Sequence, residues 1–439
     1  LPSPTRSSSM PPKRQSRRRK NKGTQADDEG GNTTTATTTT TTTQATVDDG
    51  VPRKSKRRGT KGTIQPGAEK VYVRRKKTQT LEEKSVMAPS VMVSKPASTE
   101  TKDKKSAADN KILDPEEGKR NCGSSDPADM TPKQIENLRA FVQGIQATGV
   151  QGLMNEYESI KGYEFSPFTH DCFDKNTAKN RYKDKMCLDA SRVILQDGLN
   201  GDYIHANYVH RKPILNKFIA TQGPIESTIP DFWRMCVQDG VGYILMLCDF
   251  VELGKDKCAR YLPATVGETM NFKDISVKLE AAGDEDWYVR SKLLVTAPGK
   301  GKRYVCHIRW KDWPDHGVPQ NAMPALRLLR HARQCIHPTV VHCSAGVGRT
   351  GTLIAIEWLL QKICTSSPPY DMKEMLIWLR NQRSHAIQTA AQYVFIAFVC
   401  FRLLIDKDRS LLGALNTFQA EMNALGGAKV EVVKKAPAK

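Results

Sequence analysis

The run His-Cys-Ser-Ala-Gly-Val-Gly-Arg-Thr-Gly at residues 342–351 constrains the fold of this chain more than any other segment. Residues 339–341, Thr-Val-Val, precede it and have the apolar, β-branched character of a short buried strand. Residues 352–363 follow it with the apolar density of a helix. Because every residue between Cys343 and Arg349 is small or compact, the backbone can curl and turn its N–H groups toward an anion at the helix N terminus. We therefore predict a phosphate-binding loop between a strand and a helix.

Two side chains at the ends of this loop suit phosphoryl transfer. Cys343 stands where a helix N terminus and a guanidinium favour the thiolate, which is the nucleophilic form of cysteine. Arg349 can pair with two phosphate oxygens through a fork that stays charged. Thr350 can donate its hydroxyl to the sulfur when the thiolate leaves. The phosphate is expected to bind the backbone of Ser344, Ala345, Gly346, Val347 and Gly348.

Two other interpretations of this loop compete with catalysis. Gly-rich turns between a strand and a helix are common, and a buried cysteine is usually inert. Four potential metal ligands also cluster in the sequence, namely Cys335, His337, His342 and Cys343. His342 and Cys343 are adjacent on a strand, however, and so should point to opposite faces of the sheet. We therefore predict catalysis here and no metal site.

A second segment can supply the acid that the reaction needs. A thiolate displaces an oxygen leaving group efficiently only if another group protonates that oxygen. Residues 310–319 read Trp-Lys-Asp-Trp-Pro-Asp-His-Gly-Val-Pro, in which prolines stiffen the loop and Gly317 is a flexible point. Trp313 offers an apolar anchor, so closure of the loop would expel water and bring Asp315 to the leaving group. The alternative is an ordinary turn with a helix-capping aspartate.

The composition divides the chain into three parts. Residues 1–120 carry 27 Lys and Arg against 14 Asp and Glu, a net +13 of the total +20, and Tyr72 is their one aromatic residue. Such a segment cannot bury enough apolar surface to offset the entropy of ordering. We predict a disordered, basic, Thr-rich extension at residues 1–128, a catalytic domain at 129–408 and a C-terminal helix or tail at 409–439.

Three basic clusters lie in the extension, at Lys13–Lys20, Arg53–Arg58 and Arg74–Lys77. They are compatible with binding to a nuclear-import receptor, to nucleic acid or to an anionic lipid surface. A solvated tail without a specific partner explains them equally well. No aromatic residues interleave with the basic ones, which argues against stacking on bases.

Cysteine usage and hydropathy indicate a reducing compartment and a chain without a transmembrane segment. The 11 cysteines are odd in number and lack paired spacing, as in reduced proteins. The longest apolar run, Val394–Ile405, is interrupted by Arg402 and is shorter than the ~20 residues that a transmembrane helix needs. We see no signal peptide. We expect a cytoplasmic protein that can also be nuclear.

The pattern after residue 128 predicts a mixed α/β fold. A capping box at residues 131–134 opens a helix to about Ile145. Short strand-like runs then alternate with turns, and after residue 320 the pattern is helical apart from residues 339–343. We predict a single α/β domain with a highly twisted mixed β-sheet flanked by helices. The expected strands are Tyr203–Val209, Phe218–Thr221, Tyr243–Cys248, Ile275–Leu279, Trp287–Val295 and Arg303–Trp310.

Several short motifs follow one another along the chain. They are residues 179–182 (Lys-Asn-Arg-Tyr), 202–204 (Asp-Tyr-Ile), 221–224 (Thr-Gln-Gly-Pro), 231–235 (Asp-Phe-Trp-Arg-Met), Lys257-Cys258, Trp313-Pro314-Asp315, 342–351, Gln388-Thr389 and Gln392-Tyr393. In this order they resemble the catalytic domain of the tyrosine-specific protein phosphatases, of the non-receptor type with one catalytic domain. The likeness covers roughly residues 145–405. The spacing of Cys343 and Arg349 alone is shared with dual-specificity and lipid phosphatases, so the ordered set carries the resemblance.

The resemblance implies roles for residues that bind the substrate. Tyr182 would wall a cleft that phosphotyrosine fills and phosphoserine is too short to reach across. Asp184 would accept hydrogen bonds from the substrate backbone. Lys257 would contact the acid loop, and Gln392 would line the substrate site and assist Gln388 in positioning the hydrolytic water.

It also implies roles for residues that support the chemistry. Gln388 would position the water that hydrolyses the thiophosphate, and Glu252 would orient Arg349 by an ion pair. His342 and Trp313 would support the loops that carry Cys343 and Asp315. No cofactor is implied, because Arg349 and backbone N–H groups supply the charge stabilisation.

The function implied is hydrolysis of phosphotyrosine in proteins. The neutral 344–348 segment lacks the lysines expected for inositol lipids, which makes a lipid substrate less suitable. The alternative function is a phosphatase-like protein that binds phosphotyrosine with little turnover. Two positions depart from the family pattern: His205 stands where Asn is usual, and His385 stands near the expected cleft mouth where Gly is frequent.

Overall fold

The computed structural model describes residues 113–122, 126–199, 201–315 and 317–426 of the 439-residue chain. Its α-helices are α1 Pro132–Ile160, α2 Asp171–Lys175, α3 Ile229–Gln238, α4 Met323–Gln334, α5 Gly348–Thr365, α6 Met372–Arg380, α7 Ala390–Ile405 and α8 Leu412–Gly426. Its strands are β1 Arg192–Ile194, β2 Tyr203–Val209, β3 Phe218–Thr221, β4 Tyr243–Met246, β5 Val251–Glu252, β6 Lys255–Asp256, β7 Thr269–Phe272, β8 Ile275–Asp284, β9 Tyr288–Ala297, β10 Gly301–Trp310 and β11 Thr339–His342. Short 3-10 helices occupy Pro127–Asp129, Thr177–Lys179, Asp189–Ser191, Glu226–Thr228 and Arg409–Leu411.

Nine of these strands form one mixed sheet in the order β1-β2-β3-β11-β4-β10-β9-β8-β7. The four central strands, β3, β11, β4 and β10, run parallel to one another, and the outer strands are antiparallel. Strand β11 inserts between β3 and β4, where Val341 lies opposite Ala220 and Leu245. Parallel central strands are buried on both faces, and every residue of β3, β4 and β11 is buried. The predicted fold class is confirmed.

Helix α5 lies at the centre of the helical layer. Almost all of its side chains are buried, and it packs against β11, β3, α1, α4, α6 and α7. A helix that is apolar over most of its circumference must be enclosed in this way. The loop that precedes α5 is therefore fixed between a central strand and a buried helix, and it lies at the carboxyl ends of the parallel strands, where open α/β sheets bind ligands.

The packed part of the chain begins earlier than residue 129, the start that the sequence predicts. Leu113 pairs with Arg303 at β10, and its carbonyl accepts a hydrogen bond from Tyr304 N at 2.8 Å. Asp126 accepts from Arg333 Nη1 at 3.3 Å. Residues 113–122 and 126–128 are thus attached to β10 and α4. Residues 1–112, which hold the three basic clusters, lie outside the described residues.

One helical boundary also differs from expectation, whereas the segment predicted as a C-terminal helix or tail does contain a helix. The helix that opens with the Thr131 capping box continues to Ile160 instead of ending near Ile145, with a break at Gly149, where φ is +68°. Helix α8, inside the predicted C-terminal tail, packs on α7, and the rings of Phe401 and Phe418 lie 5.9 Å apart. Within the described residues, no helix combines the length and hydropathy that crossing a bilayer requires.

Candidate active site

The loop between β11 and α5 forms an anion cradle around Cys343. Gly346 adopts φ +68°, a left-handed conformation that turns its N–H inward, and this N–H lies 3.2 Å from Cys343 Sγ. Helix α5 begins at Gly348, so the positive end of its dipole faces the same point. The structure therefore places a thiol among backbone donors at a helix N terminus, as the sequence predicts for this loop.

Close packing against backbone requires glycine at position 346, and little space is left beside Gly348. A Cβ on Gly346 would lie 2.0 Å from Thr221 O, which the backbone of β3 cannot relieve. A Cβ on Gly348 would lie 2.4 Å from Gln388 Oε1 and 3.1 Å from Gln392 Nε2. The second contact also shows that both glutamine side chains reach the start of α5.

The outward-facing carbonyls of the cradle are held by residues from other segments. Arg383 donates from Nε to Gly346 O at 3.0 Å and from Nη2 to Ala345 O at 3.2 Å. Gly223 N donates to Ser344 O at 2.9 Å, and Ile387 N donates to Val347 O at 3.0 Å. With the carbonyls fixed outward, the N–H groups of the same loop are directed inward. Arg383 was not identified from the sequence, because a single arginine outside a motif gives no signal.

Arg349 is buried and held by four hydrogen bonds. Its Nη1 and Nη2 donate to Glu252 Oε1 at 2.6 Å and Oε2 at 2.9 Å. Nη1 also donates to Trp313 O at 3.0 Å, and Nη2 donates to Asp315 Oδ1 at 3.1 Å. Burial opposes the charge of Arg349, yet the Glu252 bonds and the nearby Cys343 raise its pKa above its ordinary value. Within the described residues, these four bonds involve only Nη1 and Nη2. The Nε–H of Arg349 can therefore donate to a substrate oxygen.

The acid loop lies against the cradle. Asp315 contacts both Arg349 and Lys257, whose Nζ donates to Asp315 Oδ2. Burial opposes protonation of Lys257, but the bond to Asp315 raises the pKa of Lys257. Trp313 is buried, and its Nε1 donates to Gly317 O at 3.2 Å. Trp313, the predicted anchor of the loop, and Asp315, the predicted acid, thus lie on the same side of the site.

These groups open into one cavity of about 250 Å³. Tyr182 forms one wall, and its hydroxyl lies 2.8 Å from Ser344 Oγ. Asp184 is paired with Lys185, and the hydrogen bond from Lys185 lowers the pKa of Asp184. The lining residues are Tyr182, Asp184, Lys185, Asp315, Cys343, Ser344, Ala345, Arg349, Gln388 and Gln392. All of them except Lys185 were predicted from the sequence.

Other predicted residues lie behind this cavity and not on its surface. Glu252, Trp313 and Lys257 contact Arg349 or Asp315 from outside. Thr350 is fully buried, and its Oγ1 has no hydrogen-bond partner within the described part of the chain. The hydrogen bond from Thr350 to the Cys343 sulfur is thus not formed here.

His342 takes part in a buried relay that the sequence did not indicate. Its Nδ1 lies 3.2 Å from Cys343 O, and its Nε2 lies 2.7 Å from the Tyr261 hydroxyl, which is 2.8 Å from His307 Nε2. A carbonyl can only accept, so His342 Nδ1 carries a proton, Tyr261 donates to His342, and His307 donates to Tyr261. Burial lowers the pKa of His342 to about 4 and that of His307 to about 3, which keeps both rings neutral.

His385 does not line the cavity. It is half-buried with φ +58°, and its Nε2 lies 3.3 Å from Met186 Sδ. The described residues contain no cluster of three or more His, Cys, Asp or Glu side chains that could hold a metal ion.

Comparison with known proteins gives a consistent result. The family described as Protein-tyrosine phosphatase matches residues 176–402. Receptor-type tyrosine-protein phosphatase F of Danio rerio is 33% identical over 302 residues, which cover 64% of this chain and 16% of that protein. Its Homo sapiens counterpart is 35% identical over 275 residues, covering 61% of this chain and 14% of that protein. The chain therefore spans less than a fifth of the length of these relatives.

Over almost its whole length, one solved structure is similar to this chain. It comes from work on the structural basis of the PTPN18 fingerprint on distinct HER2 tyrosine phosphorylation sites. It is 30% identical to this chain with a TM-score of 0.56, and the match covers 61% of this chain and 99% of that one.

Proposed function

The chain belongs to the protein-tyrosine phosphatase family, and on this premise we propose that it hydrolyses phosphotyrosine in proteins through a cysteinyl-phosphate intermediate. One observation carries the proposal: Cys343, Arg349 and Asp315 meet in the cavity that Tyr182 walls. A nucleophile, a cation for the phosphate and an acid are the three groups that such a displacement requires.

The first step transfers the phosphoryl group to sulfur. The Cys343 thiolate attacks phosphorus, and the bond from phosphorus to the tyrosine oxygen breaks. Asp315 donates its proton to that oxygen, so tyrosine leaves as a neutral phenol. Arg349 Nε–H and the inward N–H groups of the cradle bind the three equatorial oxygens of the phosphoryl group. The negative charge of the transition state is spread over these oxygens, so the donors stabilise it.

The second step returns the enzyme to its initial state. Gln388, at the start of α5, positions a water molecule in line with the sulfur–phosphorus bond, and Gln392 assists. Asp315, now a carboxylate, accepts a proton from this water, and the oxygen attacks phosphorus. The Cys343 thiolate leaves, stabilised by the cradle and by the Thr350 hydroxyl, whose buried oxygen lacks another partner in the described residues.

The depth of the cavity supports selectivity for phosphotyrosine. Tyr182 stands as a wall above Ser344, which belongs to the cradle itself. A phosphate that reaches the cradle must therefore be carried on a side chain long enough to pass the ring of Tyr182. Asp184 at the rim is suited to accept hydrogen bonds from the substrate backbone, and its lowered pKa keeps it ionised.

A turnover assay with a phosphotyrosine peptide tests the proposal. The wild-type protein is compared with Cys343→Ser, which keeps the size of the side chain and removes the thiolate. Release of phosphate by the wild type and its loss in the variant are expected. If the wild type binds the peptide and releases no more phosphate than Cys343→Ser, the chain is a phosphotyrosine-binding protein and not an enzyme.

The compartment and the basic extension are separate parts of the proposal. All 11 cysteines lie in the described residues, and each is a free thiol. We propose a reducing compartment such as the cytoplasm.

For the three basic clusters we propose a role in nuclear import or in binding to an anionic surface. Removal of residues 1–112 should change the location of the protein in cells or abolish salt-sensitive binding to anionic vesicles. Unchanged behaviour in both assays would contradict this role.

A further inference from the structure

The side chain of His205 connects the wall of the cavity to the arginine that holds the phosphate cradle. It lies on β2, is 2% exposed, and its ring makes two polar contacts. Nε2 lies 2.7 Å from Lys185 O, and Nδ1 lies 3.2 Å from Arg383 Nη2. Lys185 belongs to the wall of the cavity, and Arg383 holds the carbonyls of Ala345 and Gly346 in the cradle.

The two contacts fix the tautomer of the His205 ring. The carbonyl of Lys185 can only accept, so Nε2 carries the proton, and the guanidinium of Arg383 can only donate, so Nδ1 is bare. Only a neutral imidazole with this tautomer makes both contacts. Burial first, and then the charge of Arg383, lowers the pKa of His205 to about 3, in agreement with the neutral form.

Asn207, two residues further along β2, makes an equivalent connection. Its Nδ2 donates to Leu188 O at 2.9 Å, and its Oδ1 accepts from Arg383 Nη1 at 2.7 Å. A short amide suffices there. At position 205 the ring extends beyond the reach of an asparagine, because Nε2 lies further from the backbone than either polar atom of an amide at that position.

Two of the attachments between the cavity wall and the cradle start from residues that line the cavity. The first is the direct contact between the Tyr182 hydroxyl and Ser344 Oγ at 2.8 Å. The second runs from Lys185 O through His205 and Arg383 to the carbonyls of the cradle. The first attachment can rotate about a serine side chain, whereas the second consists of buried, planar groups.

We propose that His205 is a positioning residue that fixes the cavity wall relative to the phosphate cradle in this chain, through a contact to Lys185 O that asparagine at this position cannot make, and that it thereby strengthens binding of the phosphotyrosine ring. The inference rests on the proposed function. It assigns to this chain a determinant of specificity that touches neither the substrate nor the reacting atoms. Its consequence is that loss of the Lys185 contact weakens recognition of the tyrosine ring and leaves recognition of the phosphate in place.

Two substitutions at position 205 separate the contacts. In His205→Asn the amide oxygen can replace Nδ1 as the acceptor for Arg383, and the contact to Lys185 O is lost. In His205→Gln the amide nitrogen can replace Nε2 and donate to Lys185 O again. The matched control is His210→Asn, at an exposed position just after β2.

The experiment measures KM and kcat for a phosphotyrosine peptide, the same constants for a phosphoserine peptide, and the inhibition constant of vanadate. Vanadate occupies the cradle and has no ring to contact the wall. For His205→Asn we expect KM for the phosphotyrosine peptide to rise about two- to tenfold, the range that one hydrogen bond supplies, with the vanadate constant unchanged. His205→Gln should restore KM to within about twofold of the wild type.

Three outcomes would overturn the proposal. The first is an unchanged KM in His205→Asn relative to His210→Asn. The second is an equal rise of KM and the vanadate constant without rescue by Gln, which indicates general loss of structure. The third is an unchanged ratio of phosphotyrosine to phosphoserine turnover. If the wild type shows no turnover at all, the proposed function fails, and the same comparison is made with the dissociation constants of the phosphotyrosine peptide and vanadate.

Discussion

Asp315 Oδ1 accepts a hydrogen bond from Arg349 Nη2 at 3.1 Å, so the proposed acid and the proposed phosphate-binding cation are direct partners. The other hydrogen bonds of this guanidinium go to Glu252 and to Trp313 O. A phosphate that binds in a bidentate manner through Nε and Nη2 must therefore displace Asp315. We infer that Asp315, which Lys257 still holds through Oδ2, can then turn Oδ1 toward the leaving oxygen, so that substrate binding and delivery of the acid are coupled.

Asp315→Ala tests this coupling. The variant lacks the acid, so kcat should fall by about 10²- to 10⁴-fold. Because Arg349 Nη2 no longer has a competing carboxylate, the dissociation constant of the phosphotyrosine peptide should stay the same or decrease. The exposed Asp312→Ala is the control and should change neither quantity. Weaker peptide binding by Asp315→Ala would show that Asp315 supports the binding site and does not compete for it.

Glu252→Gln tests the orientation of Arg349. The amide keeps one acceptor and loses the charge that raises the pKa of Arg349 and fixes both terminal nitrogens. We expect kcat/KM to fall by about tenfold to a few hundredfold, the equivalent of about 1–3 kcal/mol for a charged hydrogen-bonded pair. Asp256→Asn, at an exposed site on the same hairpin, is the control. Equal kinetics for the two variants would contradict an orienting role for Glu252.

Tyr261→Phe tests the buried relay. The substitution removes the hydroxyl between His307 and His342 and leaves two buried ring nitrogens without that partner. The free energy of unfolding should fall by about 1–3 kcal/mol, measured by denaturant titration. Release of His342 should also loosen the Cys343 carbonyl and reduce the rate of thiol alkylation near neutral pH. Tyr304→Phe, a half-buried control, should have little effect on either measurement. An unchanged alkylation rate in Tyr261→Phe would show that the relay does not influence the reactivity of Cys343.

Stability should decrease as the pH falls below 6.5. His205 and His307 have folded pKa values of about 3 and His342 of about 4, against 6.5 when exposed. The unfolded chain therefore binds more protons between these values, and unfolding is favoured by acid. Their contribution is complete above pH 6.5 and is lost through the interval down to the folded values, by at most about 1.4 kcal/mol per pH unit for each group. Denaturant titrations at pH 7 and pH 5 measure the loss.

The substitution His307→Gln provides the control for this pH dependence. It keeps a donor toward Tyr261 and removes one titrating group, so the difference in stability between pH 7 and pH 5 should be smaller than in the wild type. An unchanged difference would show that His307 is not a source of the acid sensitivity.

The sequence predicts those parts of the molecule that depend on interactions between residues close together in the chain. Strands β2 and β3 begin and end where the strand-like runs and the turn residues around them indicate, and the compact residues after Cys343 predict the cradle between a strand and a helix. The position of β11 between β3 and β4 depends on pairings far apart in sequence, which periodicity does not contain. The composition around Leu113 is typical of disorder, and its pairing with Arg303 on β10 joins residues far apart in sequence, so this packing cannot be predicted from local patterns.

The site shows the same division. Cys343, Arg349 and Asp315 lie in motifs, and the cavity contains all three. Arg383 and Tyr261 act through buried hydrogen bonds between distant segments, and neither has a distinctive neighbour in the sequence. Such supporting residues become visible only when the strands that carry their partners are placed side by side.

Detection of the phosphoryl group on Cys343 tests the central claim most directly. The variant Gln388→Ala should hydrolyse the intermediate slowly and let it accumulate during turnover of a phosphotyrosine peptide. Rapid denaturation followed by mass spectrometry of the peptide that contains Cys343 should show the added mass of one phosphoryl group, and Cys343→Ser combined with Gln388→Ala should show none. Release of phosphate at the wild-type rate by Cys343→Ser, or steady turnover with no modified Cys343 at any time, would contradict the mechanism.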